Sequence, residues 1–177
     1  SQLGPIGLNG SRIGLVGLGV IGRQVGHILH ALGATVLGCD PKGLPEHVEL
    51  SNVDEMLGTC DAISLHCDLH PGSRRILSAS RLAKAREGIV VVNTARGDLV
   101  DVDAAIQLTL QGHLGGLALD VFPVEPFPEM ALMNKHPRLL FTPHSAGYHT
   151  TLASKIQAGL CSAVKAFVDA ETVPYLV

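Results

Sequence analysis

Short, almost wholly apolar segments alternate along this chain with longer segments in which apolar residues recur at helical spacing. A short apolar run is typical of a strand buried on both faces, and the wider spacing is typical of a helix with one buried side. Strands covered on both faces belong to a parallel sheet. The pattern predicts strands at residues 12–16, 35–39, 62–65, 89–92, 116–119 and 139–141.

Helices are predicted between these strands and after the last one. The clearest begins at Asp101, presents Val102, Ala105 and Ile106 on one face, and is stopped by Gly112. Regular alternation of strands and helices indicates an α/β fold with a doubly wound parallel sheet. The other helices are predicted at residues 21–32, 53–57, 80–85 and 152–167.

One domain accounts for most of the chain. No linker rich in proline, glycine or serine divides residues 12–177, and residues 1–11, which are rich in glycine and lack periodicity, are interpreted as a lead-in segment. Residues 122–137 contain four prolines and are predicted to form a surface excursion without secondary structure. Long connections of this kind are often functional.

Composition narrows the range of partners. The net charge of −3, the aromatic content of 3% and the absence of tryptophan disfavour nucleic acid. No apolar run reaches the roughly 18 residues of a membrane span, and no N-terminal segment has the order of a signal peptide. The four cysteines lack paired spacing, which is typical of reduced thiols inside the cell. A cytoplasmic protein with no metal, membrane or nucleic-acid partner is therefore expected.

A glycine-rich motif follows the first predicted strand and opens the first helix. In Gly17-Leu-Gly-Val-Ile-Gly22, Gly17 permits a tight turn, Gly19 lets the backbone approach a pyrophosphate, and Gly22 lets the helix lie close to the sheet. The helix start then offers N–H groups and the positive end of its dipole to phosphate. A motif in this position predicts a dinucleotide-binding Rossmann domain.

Asp40 ends the second predicted strand, 18 residues after Gly22 (40 − 22). A carboxylate there accepts hydrogen bonds from the adenosine ribose and repels a 2′-phosphate, so NAD is predicted in preference to NADP. Lys42 is a nearby cation that would partly offset this repulsion. The alternative is that the glycine turn and the Asp40-Pro41 pair have structural roles only.

Three polar residues, Arg96, Glu125 and His144, follow predicted strands in the second half of the chain. The carboxyl ends of parallel strands lie at one edge of the sheet, where ligands bind. His144 suits the proton transfer that accompanies oxidation of a hydroxyl group, Glu125 suits the group that orients the ring, and Arg96 offers two donors to a carboxylate. Each residue alone has a structural alternative: an ion pair, a solvated carboxylate or a structural histidine. The combination predicts a nicotinamide-dependent dehydrogenase.

Residues 17–22, 92–101, 118–126 and 142–147 resemble the motif series of the D-isomer-specific 2-hydroxyacid dehydrogenases. The resemblance implies that Arg96 binds the carboxylate of a 2-hydroxy or 2-keto acid, that His144 is the acid–base group and that Glu125 is its partner. It also implies a homodimer formed through the cofactor domains. With the glycine motif, the expected cofactor-binding residues are Gly17, Gly19, Val20, Ile21, Gly22, Asp40, Cys67, Thr94, Ala95, Arg96, Asp120, His144, Ser145, Ala146 and Gly147.

Two features depart from the family pattern. Val20 stands where such proteins often carry an arginine that reaches the pyrophosphate. Only about a dozen residues precede the first strand, whereas family members build a substrate-binding domain mainly from that region. An isolated cofactor domain that lacks its substrate-binding domain, with little activity alone, is therefore expected.

Two other functions remain open at this point. The corepressor relatives in the same family suggest a non-enzymatic NAD-sensing dimerisation module. A Rossmann dehydrogenase of different chemistry would leave the three later motifs unexplained.

Overall fold

The computed structural model describes residues 7–169, apart from the side chain of Ala153. The chain divides after His144 into two compact units. The first contains the whole β-sheet, and the second contains one long helix, α6 (Leu152–Val168). Within the described residues, no helix is long and apolar enough to cross a membrane.

The first unit is built on one parallel sheet, as the apolar segments predict. Its strand order is β3-β2-β1-β4-β5-β6-β7, and every neighbouring pair is parallel. The order reverses between β1 and β4, and ligands of such sheets bind in the crevice at this switch point. The strands are β1 (Arg12–Val16), β2 (Thr35–Cys39), β3 (Glu49–Leu50), β4 (Ala62–Leu65), β5 (Val90–Asn93), β6 (Gly116–Leu119) and β7 (Leu139–Phe141).

Helices connect the strands and cover the sheet. Three of them begin at a residue whose side chain accepts a hydrogen bond from the first turn: Asn52, Ser78 and Asp101. The predicted start of a helix at Asp101 is thereby confirmed. The helices of this unit are α1 (Val20–Ala31), α2 (Val53–Thr59), α3 (Ala79–Leu82), α4 (Val102–Leu110) and α5 (Met130–Met133), with a short 3-10 turn at Gly97–Leu99.

The main core lies around the central strands. Ile63, Leu65, Val91 and Leu117 are almost completely buried, as continuous apolar runs require. Burying each such side chain contributes about 1.5–3 kcal/mol. The core thereby fixes the strand ends that carry the polar residues predicted to be functional.

The segment 122–137 differs from the surface excursion expected of it. Phe122 is buried and stacks on Phe127, with ring centroids 4.5 Å apart. Both rings meet the ring of Phe141 edge-on, at 5.3 and 5.8 Å. The expectation of an unstructured surface connection is wrong in part, because these aromatic contacts and helix α5 anchor the segment against β7.

Candidate active site

The glycine-rich turn after β1 has a backbone that requires glycine. Gly17 has a φ of +89°, and a Cβ there would lie 2.5 Å from the backbone nitrogen of Cys67. A Cβ at Gly22 would overlap the carbonyl oxygen of Gly17. The predicted tight turn at Gly17 is confirmed. The close contact made by Gly22 is chiefly with the carbonyl group of Gly17.

Open space surrounds the start of α1. A Cβ at Gly19 would meet no atom within 4 Å, and α1 begins there without a side-chain cap. Val20 and Ile21 are 75% and 65% exposed. A cradle of uncapped helical N–H groups beside an open glycine fits the pyrophosphate of a dinucleotide.

Asp40 is tied to the glycine-rich turn. One of its carboxylate oxygens accepts a hydrogen bond from the Leu18 N–H at 2.6 Å, and the other accepts one from the Lys42 N–H at 2.7 Å. Arg23 Nε donates to the Leu18 carbonyl at 2.7 Å, and its Nη2 donates to the Gly43 carbonyl at 3.2 Å. Asp40 therefore has a structural role in addition to the charge that it places beside the turn.

The sequence pattern does not identify Arg23 as a residue of the site. Arg23 follows Gly22 directly, but nothing in the helical pattern indicates that its guanidinium turns back to two loop carbonyls. That target depends on how the turn after β1 and the loop after β2 meet.

Cys67, which follows β4, packs against Gly17 and is half-buried. Burial, followed by smaller contributions that include the neighbouring thiol and carboxylates, raises the pKa of Cys67 to about 11. The group is thus a neutral thiol at physiological pH. It lines the turn and is not a reactive thiolate.

The loop after β5 is shaped by a buried amide. Asn93 is fully buried, its Nδ2 donates to the Arg96 carbonyl at 2.8 Å, and its Oδ1 accepts from the Ala95 N–H at 3.0 Å. Thr94 and Arg96 are exposed on this loop. Asn93 was not among the expected site residues, although it lies in a motif that resembles the family's.

The Arg96 side chain forms no ion pair within residues 7–169. Its one hydrogen bond there runs from Nη1 to the carbonyl of Ala95, at 2.6 Å. Within this range the alternative that Arg96 is a structural ion-pair partner gains no support. Its guanidinium is available to an anionic ligand.

The loops that carry Arg96 and Glu125 are in contact. A Cβ at Gly97 would overlap the backbone of Phe122 and Pro123. Only a glycine allows the 3-10 turn after Arg96 to pack so closely on the segment leading to Glu125. Among the described residues, the Arg96 side chain forms no hydrogen bond or ion pair with Glu125 or His144.

Glu125 and His144 form a hydrogen-bonded pair. His144 Nδ1 lies 2.9 Å from Glu125 Oε2, and Glu125 Oε1 accepts the Phe122 N–H at 2.9 Å. The backbone hydrogen bond from Phe122, followed by the one from His144, lowers the pKa of Glu125. His144 Nε2 has no hydrogen-bond partner in the described part of the chain. The pair therefore holds the ring through one nitrogen and leaves the other accessible.

The remaining expected site residues are divided between the two units. Asp120 is buried after β6 and accepts a hydrogen bond from Thr142 Oγ1 at 2.5 Å. Ser145, Ala146 and Gly147 belong to the second unit, where the Ser145 carbonyl accepts the Tyr148 N–H at 2.9 Å. No group of histidine, cysteine or carboxylate side chains within residues 7–169 is arranged to hold a metal ion.

Comparison with known proteins places this geometry in a family. Residues 2–146 match the family described as D-isomer specific 2-hydroxyacid dehydrogenase, NAD binding domain. The chain belongs to this family. The NAD cofactor, the Rossmann fold and the resemblance in the motifs are thereby confirmed.

Relatives of this chain are oxidoreductases. This chain is 32% identical over 154 residues to the D-3-phosphoglycerate dehydrogenase of Haemophilus influenzae. The match covers 83% of this chain and 38% of that protein. The D-lactate dehydrogenase of Lactobacillus jensenii with NAD+ superposes with a TM-score of 0.83 at 27% identity, covering 94% of this chain and 55% of that one. An acyclic imino acid reductase in complex with NADPH and D-Arg superposes with a TM-score of 0.86 at 25% identity, covering 97% and 55%.

The chain thus spans about half the length of the structures that it matches, and less of the phosphoglycerate dehydrogenase. None of these three relatives is a corepressor, so the non-enzymatic alternative gains no support from them. The NADPH complex shows that a chain with this fold can hold the other cofactor. The choice between the two cofactors must then depend on local residues.

Proposed function

We propose that this chain is the cofactor-binding half of an NAD-dependent dehydrogenase that interconverts a D-2-hydroxy acid and its 2-keto acid. The observation that supports this most strongly is the pair of Glu125 and His144, 2.9 Å apart, after neighbouring strands of a family-type NAD domain. A domain that only senses NAD has no need of such a pair.

The cofactor would lie across the glycine-rich turn. The N–H groups at the start of α1 would bind its pyrophosphate, the open space at Gly19 would admit it, and Asp40 would accept its ribose hydroxyls. Bound NAD supplies the hydride acceptor. The other proposed contacts are Gly17, Val20, Ile21, Gly22, Cys67, Thr94, Ala95, Arg96, Asp120, His144, Ser145, Ala146 and Gly147.

His144 would transfer the proton. During oxidation, Nε2 takes the hydroxyl proton while Glu125, bonded at Nδ1, stabilises the resulting imidazolium. Arg96 would hold the substrate carboxylate with two parallel hydrogen bonds. The contact of Gly97 with the Phe122 segment would keep this cation and the histidine pair in a fixed relation.

A second domain would complete the catalytic protein. Hydride transfer requires a cleft that excludes water, and this domain would form one wall. A substrate-binding domain would form the other wall and select the acid. We further propose that the protein is a cytoplasmic homodimer, as the family resemblance implies.

Assays of the full-length protein test this function. NADH oxidation would be followed spectrophotometrically with a series of 2-keto acids, in the wild type and in His144→Ala. The variant should lose on the order of 10²–10⁴ in turnover, the usual contribution of a general acid. Undiminished activity in His144→Ala would overturn the assignment.

The role of Arg96 is tested with a lysine substitution. Arg96→Lys should mainly raise KM for the keto acid, because an ammonium group cannot reproduce the two-donor fork. Arg74→Lys is a matched control, since Arg74 is an exposed arginine that pairs with Asp98. Equal effects of the two substitutions would argue against substrate binding by Arg96.

A further inference from the structure

Strand β7 lies at one edge of the sheet, and the side chain of Asn134 forms hydrogen bonds with the backbone on its outer side. β7 lies at the end of the sheet order and, within residues 7–169, pairs with β6 alone. Asn134, which follows α5, accepts the Phe141 N–H on Oδ1 at 2.7 Å and donates from Nδ2 to the Phe141 carbonyl at 2.8 Å. Its amide thus bonds both backbone groups of Phe141, as a residue of a further strand would.

The same point of β7 is fixed from its other side. The Thr142 N–H donates to the Leu119 carbonyl at 2.9 Å, and Thr142 Oγ1 donates to Asp120. The ring of Phe141 contacts that of Phe122, whose N–H holds Glu125. Phe141 is therefore the residue at which the strand leading to His144 meets the segment that carries Glu125.

His144 needs this support because of its backbone. Its φ is +52°, in the left-handed region that non-glycine residues rarely adopt. Such a conformation persists only where the surrounding structure imposes it. Only Thr142 and Pro143 separate Phe141 from His144, so a shift of Phe141 would be transmitted directly to the ring.

We propose that Asn134 is a positioning residue for the pair of Glu125 and His144. By bonding both backbone groups of Phe141, its amide locks α5 and the end of β7 together, and so sets the distance between the carboxylate and the imidazole. The inference rests on the proposed acid–base function of His144 for its catalytic meaning. The positioning itself is independent of that function. A purely structural alternative is that Asn134 only blocks the open edge of β7.

The test uses the chain itself, labelled uniformly with ¹⁵N, and records by NMR the Nδ1–H proton signal of His144 and the exchange of the Phe141 amide. Asn134→Ala should weaken or broaden this hydrogen-bonded signal and speed amide exchange at Phe141 by roughly five- to tenfold, the effect of one lost hydrogen bond. Lys135→Ala, a neighbouring exposed residue, is the control and should change neither.

Asn134→Asp is the second variant. It has the same shape and keeps the acceptor for the Phe141 N–H, but it lacks the donor to the Phe141 carbonyl, so the His144 signal should again weaken. An unchanged signal in both variants, with faster exchange at Phe141, would overturn the positioning role and leave only edge protection. Unchanged exchange would also overturn it, because the contact would then be absent in solution.

A second readout separates this proposal from the proposed function. In the full-length enzyme, Asn134→Ala should lower kcat and shift the pH profile while the affinity for NADH stays the same. If His144→Ala left activity intact, the function would fail, yet the NMR result would still decide whether Asn134 positions the ring. A kcat and a pH profile equal to those of Lys135→Ala would contradict a catalytic consequence.

Discussion

The hydrogen bonds on Glu125 decide what His144 can do. Both carboxylate oxygens are engaged, one by the Phe122 N–H and the other by the imidazole. These bonds lower the pKa of Glu125, so the group keeps its negative charge through the neutral range. A charged acceptor at Nδ1 favours the tautomer with the proton on that nitrogen, which leaves Nε2 to exchange a proton with a ligand.

Glu125→Gln should therefore move the pH dependence of keto acid reduction in the full-length enzyme. In the proposed mechanism the imidazolium donates the proton during reduction, so the rate should fall as pH rises. A neutral amide stabilises the imidazolium less than a carboxylate does, so the fall should occur at lower pH. Rate profiles over pH would measure this, with NADH affinity as the control. A profile identical to that of the wild type would show that the pair has no catalytic meaning.

Asp40→Asn should narrow the preference for NAD over NADP. The substitution removes the charge that repels a 2′-phosphate and keeps an amide oxygen for the Leu18 N–H. This makes it a cleaner test than alanine, which would also release the turn. Calorimetric titration of the chain with NADH and NADPH gives both affinities.

Arg23→Lys is the matched variant for this titration. It keeps the positive charge but loses the fork that bonds the Leu18 and Gly43 carbonyls. Both cofactors should bind it more weakly by a similar factor. Wild-type affinity for NADPH equal to or above that for NADH would refute the role of Asp40.

Gly97→Ala should destabilise the fold. The added Cβ would overlap the Phe122 backbone, and overpacking of this kind typically costs about 1–3 kcal/mol in the free energy of unfolding. Gly58→Ala is the control, because Gly58 lies in α2 with no atom within 4 Å of its Cβ. That change should stabilise the helix by about 0.5–1 kcal/mol. Urea denaturation of both variants measures the difference, and equal stabilities would mean that the two loops are not in close contact.

At the scale of elements, the sequence predicts the strands well. The bounds of β1, β2, β4, β6 and β7 agree with the apolar runs, and β5 differs by one residue. Most residues of these strands are buried or partly buried, although Leu140 in the edge strand β7 is exposed, so the runs are largely apolar. β3 escapes prediction because two residues are too few to display an alternation, and α5 escapes it because this short helix lies within a segment rich in proline.

The location of the candidate site can be predicted from the order of the parallel strands. Parallel strands bring their carboxyl ends to one edge, so Arg96, Glu125 and His144 could be expected there from order alone. Asn93 and Asn134 could not be identified in this way. Each bonds backbone groups whose positions depend on the path of a loop, and no local pattern records that path.

Asp61 lies just before β4, and its carboxylate bonds Arg12 at the start of β1 and the side chain of Arg86. These bonds make the stability of the fold depend on pH. The carboxylate accepts the Arg12 N–H at 2.8 Å and Arg86 Nη1 at 2.7 Å. The Arg12 backbone bond, which outweighs the opposing effect of burial, and the Arg86 side chain lower the pKa of Asp61 from 3.8. A lowered pKa in the folded state means that the carboxylate stabilises the fold above 3.8, and that this stabilisation is lost as pH falls through the folded-state pKa.

Asp61→Asn should lower the free energy of unfolding at neutral pH by about 1 kcal/mol, the net value of a hydrogen bond. The difference from the wild type should disappear in acid. Asp54→Asn is the control, since Asp54 bonds only the exposed side chain of Arg81 and surface pairs contribute little. Denaturation at several pH values would test this, and a difference that persists unchanged in acid would contradict it.

At the scale of the whole molecule, the proposed cofactor site and acid–base pair lie in a chain that spans about half the length of its solved relatives. Its solved relatives are nearly twice its length, the chain covering 54–56% of several of them. The side chains that select one 2-keto acid over another would come largely from the other half.

The second unit leads to the last prediction. Helix α6 has apolar residues at helical spacing along its length, and Ile156, Leu160, Val164 and Phe167 are each more than half exposed. A large exposed apolar surface marks an interface.

We therefore expect the chain to self-associate at tens of micromolar, roughly the range of modest interfaces. Light scattering should report a mass above that of one chain, and Leu160→Glu should return it toward the monomer. Leu50→Glu is the control, because Leu50 is 80% exposed, more than Leu160 at 62%, but lies on β3 in the other unit, so it should leave the mass unchanged. A clean monomer in the wild type would show that α6 is not a surface for a second copy.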